Sequence, residues 1–540
     1  NEADAADFTQ SDLDGDGSAD GGYAVSTGSG DIVIDYTTEL LEFSASVDIA
    51  LFDFVFFSGS FAFRKTSAPV DLVLDNGSVA TAEMITVGAT GLDAFVGVNG
   101  PAGTPGAVGF TVTGFEFGLA LLSTQSDPAD PAPDARSWTI MQASVDTAGF
   151  AGIPGVDLTV SSILVEVNRA AGTNNGVRNT RGVDTTASDF DGDGTADGAL
   201  EIATGGDPVA IAHTGALFRA RGTLSVNLFD FVTGTATFVA RREAVDVDLD
   251  SNGVLDADDL ADAEFLAFGL TGVDLFVGSG TVGFTVTGGS LAFARITPSA
   301  ADVAAGDGRR YFAVQADLDG ASLSGVSGLV SATVQRLSVD INRADGAFGA
   351  VSAQALDWTS QLALEGGGFG TILDLGLLLD PPVADGPLAF TLTRELFQAS
   401  GRFEINLLNL IRGSADFAFV LQQADVQAPG GDTVTDASLV LFALSDADLF
   451  VGVGDVGFQV TDGSLAIAQI DAADGRSWLA VSGSVASAGL TGISGFTATV
   501  SNISIGVNRG TNAAALDWST AVEYDDANGV AFGDVVDPGR

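Results

Sequence analysis

Apolar and polar residues alternate with a period of two along most of the chain. The runs LLEFSASVDIALFDFVFFSGSFAF (40–63), LTGVDLFVGSGTVGFTVTGGSLAFARI (270–296) and YFAVQADLDGASLSGVSGLVSATVQRLSVDINR (311–343) carry it most plainly. Such spacing puts one set of side chains on each face of a strand, and Val, Ile, Phe and Thr suit a pleated, half-buried surface. Gly and Asp–Gly pairs interrupt the runs at short intervals and supply turns. One segment departs from this pattern: DADDLADAEFLA (256–267) has the spacing of a short helix. The prediction is an all-β chain with a single helical stretch at 256–267.

The alternating segments recur. LFDFVFFSGSFAF (51–63) returns as LFDFVTGTATF (228–238) and as LLNLIRGSADFAF (407–419). VGFTVTG (108–114) returns at 282–288 and as VGFQVTD (456–462). AGIPGVDLTVSSILVEVNR (151–169) has counterparts at 324–343 and 491–509. These matches define repeat units at 1–178, 179–352 and 353–512, with ALDWST (515–520) opening a fourth over 513–540. The interrupted fourth copy suggests a piece of a longer array. Two architectures fit: a β-solenoid, in which sub-repeats stack around a continuous apolar core, and tandem β-sandwich domains. Sandwiches need polar linkers between units. The two Pro-rich stretches, 123–136 and 377–387, fall inside units and read as loops on a continuous core, which favours the elongated solenoid.

Composition narrows the function. The 540 residues include 21 Lys+Arg against 71 Asp+Glu, a net charge of −50, and Lys65 is the one lysine. That charge repels phosphate backbones and argues against nucleic-acid binding. Zero Cys and one His remove disulfides, thiolate sites, cysteine nucleophiles and most triads. No uncharged run of 18 apolar residues occurs, so no membrane-spanning helix is expected. Four Tyr and four Trp do not furnish the aromatic girdles of a membrane barrel.

Three acidic loops carry chemistry. DLDSNGVLDADD (248–259) fits a twelve-position calcium loop: Asp248, Asp250 and Asn252 at positions 1, 3 and 5, Gly253 at the sharp turn, the Val254 carbonyl at 7, Asp256 at 9 and Asp259 at 12. Ca²⁺ takes six to eight hard oxygens, and this spacing folds them around one point. The shorter loops set Asp12, Asp14, Asp16 and Asp20, then Asp189, Asp191, Asp193 and Asp197, at positions 1, 3, 5 and 9. Ser18 and Thr195 are placed to present backbone carbonyls. Position 12 is Tyr23 or Leu200, so a closing ligand has to come from elsewhere. A solvated acidic turn is the alternative reading, but carboxylates packed this densely repel unless a cation sits among them. By equal offset, Leu72, Leu74 and Ala80 of unit one stand where unit two has Asp248, Asp250 and Asp256. Ligand sets therefore vanish while strands persist, as expected of local stapling rather than of a catalytic site.

Other signals read as structure. GSGTVG (278–283) and GVGDVG (452–457) precede strands and are hairpin turns, not dinucleotide loops. His213 has no triad partners at recognisable spacing. Asp93, Asp274 and Asp448 are expected to cap turns or accept backbone amides. The recurring Asn168–Arg169, Asn342–Arg343 and Asn508–Arg509 suggest an Arg–Asp pair, and Trp138, Phe312 and Trp478 share one repeat position as core or rim aromatics. No carboxylate pair stands out as catalytic, and the chain is read as a non-enzyme.

The DFDGDG loops resemble those of dockerin- and thrombospondin-type repeats. Together with GIPGVDLTVSSILVEVN and GVDLFVGSGTVGFTVTG, they give the chain a resemblance to repeat regions of very large bacterial secreted or surface proteins, including calcium-dependent adhesins of the RTX type. The resemblance implies an extracellular, calcium-loaded structural or adhesive module. It would act as a rod, spacer or filament unit, with surface or matrix components or further copies of itself as partners. A carbohydrate- or ice-binding β-face is the alternative.

Overall fold

The computed structural model describes residues 7–12, 15–36, 40–51, 55–66, 68–125, 134–152, 154–280, 282–324, 330–364, 368–379, 382–384 and 386–523. The chain divides into two compact units, Asn1–Ile153 with Thr159–Gly222, and Pro154–Leu158 with Thr223–Arg540. Both are built from long antiparallel strands, and the chain is all-β as expected. Among the described residues no closed barrel and no solenoid coil occurs; successive strands turn back on one another.

The first unit opens with a hairpin of β1 (Tyr23–Ser26) and β2 (Asp31–Ile34). The strands β3 (Leu40–Leu51), β4 (Val55–Thr66), β6 (Val79–Val98), β7 (Val108–Thr124) and β8 (Ser137–Ala151) then pair in that order, with the short β5 (Val70–Leu74) alongside β6. After β9 (Val156–Ala171) and the two-residue strands β10 (Thr173–Asn174) and β11 (Val177–Arg178) come β12 (Val183–Asp189) and a second hairpin, β13 (Leu200–Ile202) with β14 (Val209–Ile211). β15 (Leu217–Leu228) follows. Residues 183–211 fold back over the ends of β5 to β8. Val183, Leu200, Ile202, Val209 and Ile211 meet Leu72, Met84, Leu122, Trp138 and Ile140 in one buried core.

In the second unit β16 (Val232–Val247), β17 (Leu260–Ser279), β18 (Val282–Thr297), β19 (Arg310–Ser324) and β20 (Val330–Asp345) form a meander. It crosses the short β21 (Ala347–Phe348), β22 (Val351–Ser352) and β23 (Leu362–Ala363) and continues through β24 (Leu396–Leu407), β25 (Ile411–Gln427), β26 (Thr433–Val453), β27 (Val456–Asp471), β28 (Ser477–Thr491) and β29 (Ala498–Thr511). The closing β30 (Val522–Glu523) pairs with β25. Again the segment after the strands closes the core: Leu356, Trp358, Leu362, Leu373, Leu375, Leu388 and Phe390 cover β16 to β19. Leu516, Ala521 and Val522, with Trp518, do the same for β25 to β28.

Several expectations need correction. Residues 256–267 are no helix: from Leu260 they belong to β17, with Leu260, Ala263, Phe265 and Ala267 buried on one face. A bulge at Asp262 (φ 50°), whose N–H donates to Asp246, breaks the alternation by one residue and mimics helical spacing. The α-helix among the described residues is Ala300–Ala305, capped by Ser299, and a 3-10 turn lies at Leu375–Leu378. Phe312 does not share the place of Trp138 and Trp478. Cross-strand register pairs Leu122 with Trp138, Ile470 with Trp478 and Ile296 with Tyr311, so Tyr311 is the buried equivalent. In the Asn–Arg pairs it is the asparagine that works. Asn168, Asn342 and Asn508 donate to the carbonyls of Val183, Leu356 and Leu516, tying each strand to its closing segment. Arg169, Arg343 and Arg509 are exposed, and no ion pair to them occurs among the described residues.

Recurrent motifs mark turns and bulges. In LFDF and LLNL the central pairs Phe229–Asp230 and Leu408–Asn409 both have φ near +55°, the two-residue hairpin turn whose twist matches the strands. Asp93, Asp274 and Asp448 accept the N–H of Gly114, Gly288 and Asp462 beside bulges in the long strands. Both G-x-G-x-x-G segments lie at strand-to-strand connections, β17 to β18 and β26 to β27.

Candidate metal centres

In all three acidic loops the first Asp accepts backbone N–H groups of the turn that follows it. Asp12 accepts the N–H groups of Gly15 (2.7 Å) and Gly17 (2.8 Å), and Asp189 those of Gly192 (2.7 Å) and Gly194 (2.8 Å). Asp248 accepts Asn252 N–H (3.1 Å) and Gly253 N–H (2.7 Å). The first Asp thus gathers the backbone around its own carboxylate. The positive φ of Gly17, Gly194 and Gly253 lets the chain curl back, a conformation glycine adopts without Cβ strain. Asp14 lies outside the described residues.

The Asp189 and Asp248 loops are closed by the same backbone contact. Asp197 accepts the N–H of Phe190 at position 2 (2.6 Å), as Asp259 accepts that of Leu249 in the longer loop (2.7 Å). Position 9 of the Asp189 loop therefore accepts the position-2 amide as position 12 does in the long one. Carboxylate oxygens of Asp189, Asp191 and Asp197 lie within 4.8 Å of one another, as do those of Asp248, Asp250 and Asp259. Asp193 turns to Thr195, accepting its N–H (2.8 Å) and hydroxyl; that hydroxyl hydrogen bond is the main cause holding the Asp193 carboxyl below its ordinary range. Asp16 likewise accepts Ser18 N–H (2.8 Å). Asp256 accepts Asp258 N–H, and Asn252 accepts Val254 N–H, so both brace the turn. Asp20 N–H donates to the Ser11 carbonyl as Asp197 N–H donates to that of Ser188 (both 3.1 Å), which closes the two short loops alike.

The 248–259 loop replaces a tight turn. Val247 pairs with Leu260, as Leu72 pairs with Ala80 in the first unit and Val426 with Val434 further on. Leu72 and Ala80 are therefore counterparts of Val247 and Leu260, not of Asp248 and Asp256, and the loop is an insertion between two conserved pleats. Asp248 and Asp259 are buried at its root and Asp250 is exposed at its mouth.

Residues distant in sequence fasten this loop. Gln361 donates from Nε2 to Leu249 O and Ser251 Oγ (both 3.1 Å), and its carbonyl accepts Asp248 N–H. Arg309 donates to the Asp258 carbonyl (2.8 Å) while its guanidinium pairs with Asp307 (2.7 Å). Burial is the largest single influence and works to lower Arg309, but the Asp307 hydrogen bond and the charges of Tyr311, Asp307 and Asp258 together hold the group above its ordinary value. The readable signal was a recurring Asp-x-Arg before the core aromatic. Asp134–Arg136 precedes Trp138, Asp307–Arg309 precedes Tyr311 and Asp474–Arg476 precedes Trp478, each pair joined at 2.7 Å.

His213 belongs to a buried charged group. It is fully buried with Nε2 3.5 Å from Glu166, which also faces Arg219 at 3.6 Å. Burial works to raise Glu166, and His213 and Arg219 together hold its carboxyl below the ordinary range.

A second feature is an open groove of about 540 Å³ in the second unit, lined by Glu404, Asn406, Arg412, Asp448, Phe450 and Gln459 among others. Arg412 lies over the Phe450 ring at 4.6 Å. No helix among the described residues is long and apolar enough to cross a membrane. Neither the protein-family models nor the curated proteins compared with the chain give a match.

Proposed function

We propose that this chain is an extracellular structural or adhesive repeat module whose acidic loops bind Ca²⁺ and stiffen the ends of its strands. The observation that carries the reading is the Asp248–Asp250–Asp259 cluster: three carboxylates converging within 4.8 Å, two of them buried, with no nitrogen or sulfur donor. An all-oxygen set of hard donors suits Ca²⁺ or Mg²⁺ and not zinc or copper. Asp248, Asp250, Asp259 and the Val254 carbonyl would hold the ion, as would Asp189, Asp191 and Asp197 in the shorter loop. Millimolar calcium outside cells fills even weak sites, which supports the extracellular assignment. The array, in this reading, extends unit by unit as an antiparallel meander, each unit closed by the segment that follows it, in place of stacked solenoid coils.

Isothermal titration with CaCl₂ tests the binding. The parent chain is expected to take up calcium in the micromolar to millimolar range, and Asp248→Asn/Asp259→Asn to lose one site. Absence of calcium uptake at millimolar concentration overturns the reading.

The groove favours one second reading, a carbohydrate-binding face, because aromatic Phe450 sits among amide and carboxylate side chains able to bond hydroxyls. Glycan-array binding that Phe450→Ala abolishes would support it; an array without signal would remove it.

A further inference from the structure

In the second unit the closing segment ends on a paired contact with the sheet. Thr391 N–H donates to Gln315 Oε1 at 2.9 Å, and Gln315 Nε2 donates to the Thr391 hydroxyl at 3.3 Å. Both heteroatoms of one carboxamide therefore touch one residue, and the carbon between them stands beside a hydroxyl. Gln315 belongs to β19, while Thr391 lies between the buried Phe390 and Leu392, so two apolar anchors fix where its hydroxyl sits. A hydroxyl is a nucleophile and an amide carbon an electrophile. The Thr391 N–H already rests on the oxygen that takes up negative charge when the two join.

The third component is an acid. Cross-strand register places Asp340 of β20 directly opposite Gln315, with Gln398 of β24 on its other side. Asp340 accepts a hydrogen bond from the Gln315 side chain, so its carboxyl meets the nitrogen that has to leave. Burial, and after it the charge of Asp317 further along β19, pushes the Asp340 carboxyl above its ordinary range, and it keeps its proton more readily than a surface aspartate. An amide nitrogen is a poor leaving group until it is protonated, and a positioned acid supplies that proton. A second amide–hydroxyl contact gives the comparison. Gln361 Nε2 donates to Ser251 Oγ at 3.1 Å, but its other partner is the Leu249 carbonyl, which has no proton to give.

We infer that Thr391 and Gln315 join in an ester cross-link that fastens the closing segment covalently to β19. Thr391 Oγ1 bonds to Gln315 Cδ, the Cδ–Nε2 bond breaks, and the nitrogen leaves as ammonia. Asp340 protonates Nε2 and recovers a proton from the Thr391 hydroxyl. The carbon stays at the carboxyl oxidation level, so no oxidant or reductant takes part. Thr391 is exposed, and the ammonia escapes to solvent. A chain without cysteine gains in this way a staple that constrains its unfolded state as a disulfide does. The link requires no metal and stands independently of the calcium reading.

Intact-mass spectrometry with peptide mapping, on the full purified chain before and after prolonged incubation, tests the inference. The parent is expected to lie about 17 Da below its sequence mass, the weight of one ammonia. One pair of peptides should be joined through Gln315 and Thr391, and hydroxylamine should separate them. Thr391→Ala and Gln315→Ala should keep their full sequence masses, whereas Thr391→Ser, which retains a hydroxyl, should still link. Asp340→Asn, similar in shape and folded by circular dichroism, should stay unlinked. A parent at its full sequence mass overturns the inference. So does a loss confined to one peptide, the mark of a succinimide at an Asn–Gly pair such as Asn175–Gly176, or a link that maps to Gln361 and Ser251. Linking of Asp340→Asn at the parent's rate overturns the role given to that carboxyl.

Discussion

Replacing Asp259 by Asn should have opposite effects with and without calcium. Asp248, Asp250 and Asp259 bring oxygens within 4.8 Å of one another, and two unit charges at that separation repel by about 3.5 kcal/mol at an effective dielectric near 20. Backbone amides offset part of this: Asp248 accepts from Asn252 and Gly253, Asp259 from Leu249 and Asp256. Asparagine has one acceptor oxygen in place of two, so Asp259→Asn gives up one amide bond, about 1 kcal/mol. It relieves a larger repulsion. The metal-free variant should melt at or above the temperature of the metal-free parent. With calcium at about a hundred times Kd the parent gains about 2.7 kcal/mol, roughly 5–10 °C for a cooperative unit of some 200 residues. The variant should gain almost none of this in the second unit. Differential scanning calorimetry in EDTA and in calcium reads both arms. Equal calcium shifts in parent and variant, or a variant melting well below the parent in EDTA, would refute the reasoning.

Three further outcomes follow from the packing. Tyr311 is buried and its phenol is pushed up to about 12 by that burial. Its contribution is complete below pH 10 and falls between pH 10 and 12, where the unfolded chain ionises first, by about 3 kcal/mol; Tyr311→Phe should flatten that alkaline loss in a pH series of urea melts. Gly88→Ala drives a Cβ against the Ala203 backbone at 2.2 Å and should cost roughly 1–3 kcal/mol in urea unfolding, whereas Gly506→Ala, with nothing within 4 Å, should be nearly neutral. Trp358, which donates to Asn342 at 3.0 Å and packs on Phe390 at 5.5 Å, should cost about 3–5 kcal/mol as Trp358→Ala, measured by the same unfolding.

Strands were readable because alternation is a local property, and the repeats because the same pleats recur. The pairing of strands with closing segments was not, since Asn168 to Val183 and Gln361 to Leu249 join parts the sequence does not mark as neighbours. The helix expected at 256–267 failed for a definable reason: one left-handed residue, Asp262, shifts the register, and Ala, Leu and Glu around it have high helix propensity. The loops showed the opposite balance. The spacing that brings Asp189 beside Asp191, and Asp248 beside Asp250 and Asp259, was legible, but which Asp accepts the position-2 amide of the short loop is a matter of backbone path. Tyr311 was missed in favour of Phe312 because adjacent aromatics on a strand face opposite sides, and only cross-strand register separates them.

The order of parts within each core sets when it can be completed. Residues 183–211 close strands that precede them in the chain, and residues 356–392 and 516–522 do likewise. A polypeptide emerging from its N-terminus therefore presents a finished sheet with a bare apolar end, such as Leu72, Leu122 and Ile140, until the next stretch arrives to cover it. Each core is covered by the stretch of chain that follows its strands. A cut placed after the strands and before the closing segment leaves that end exposed to solvent, so the viable points of severance lie beyond each closing segment and not at the last long strand.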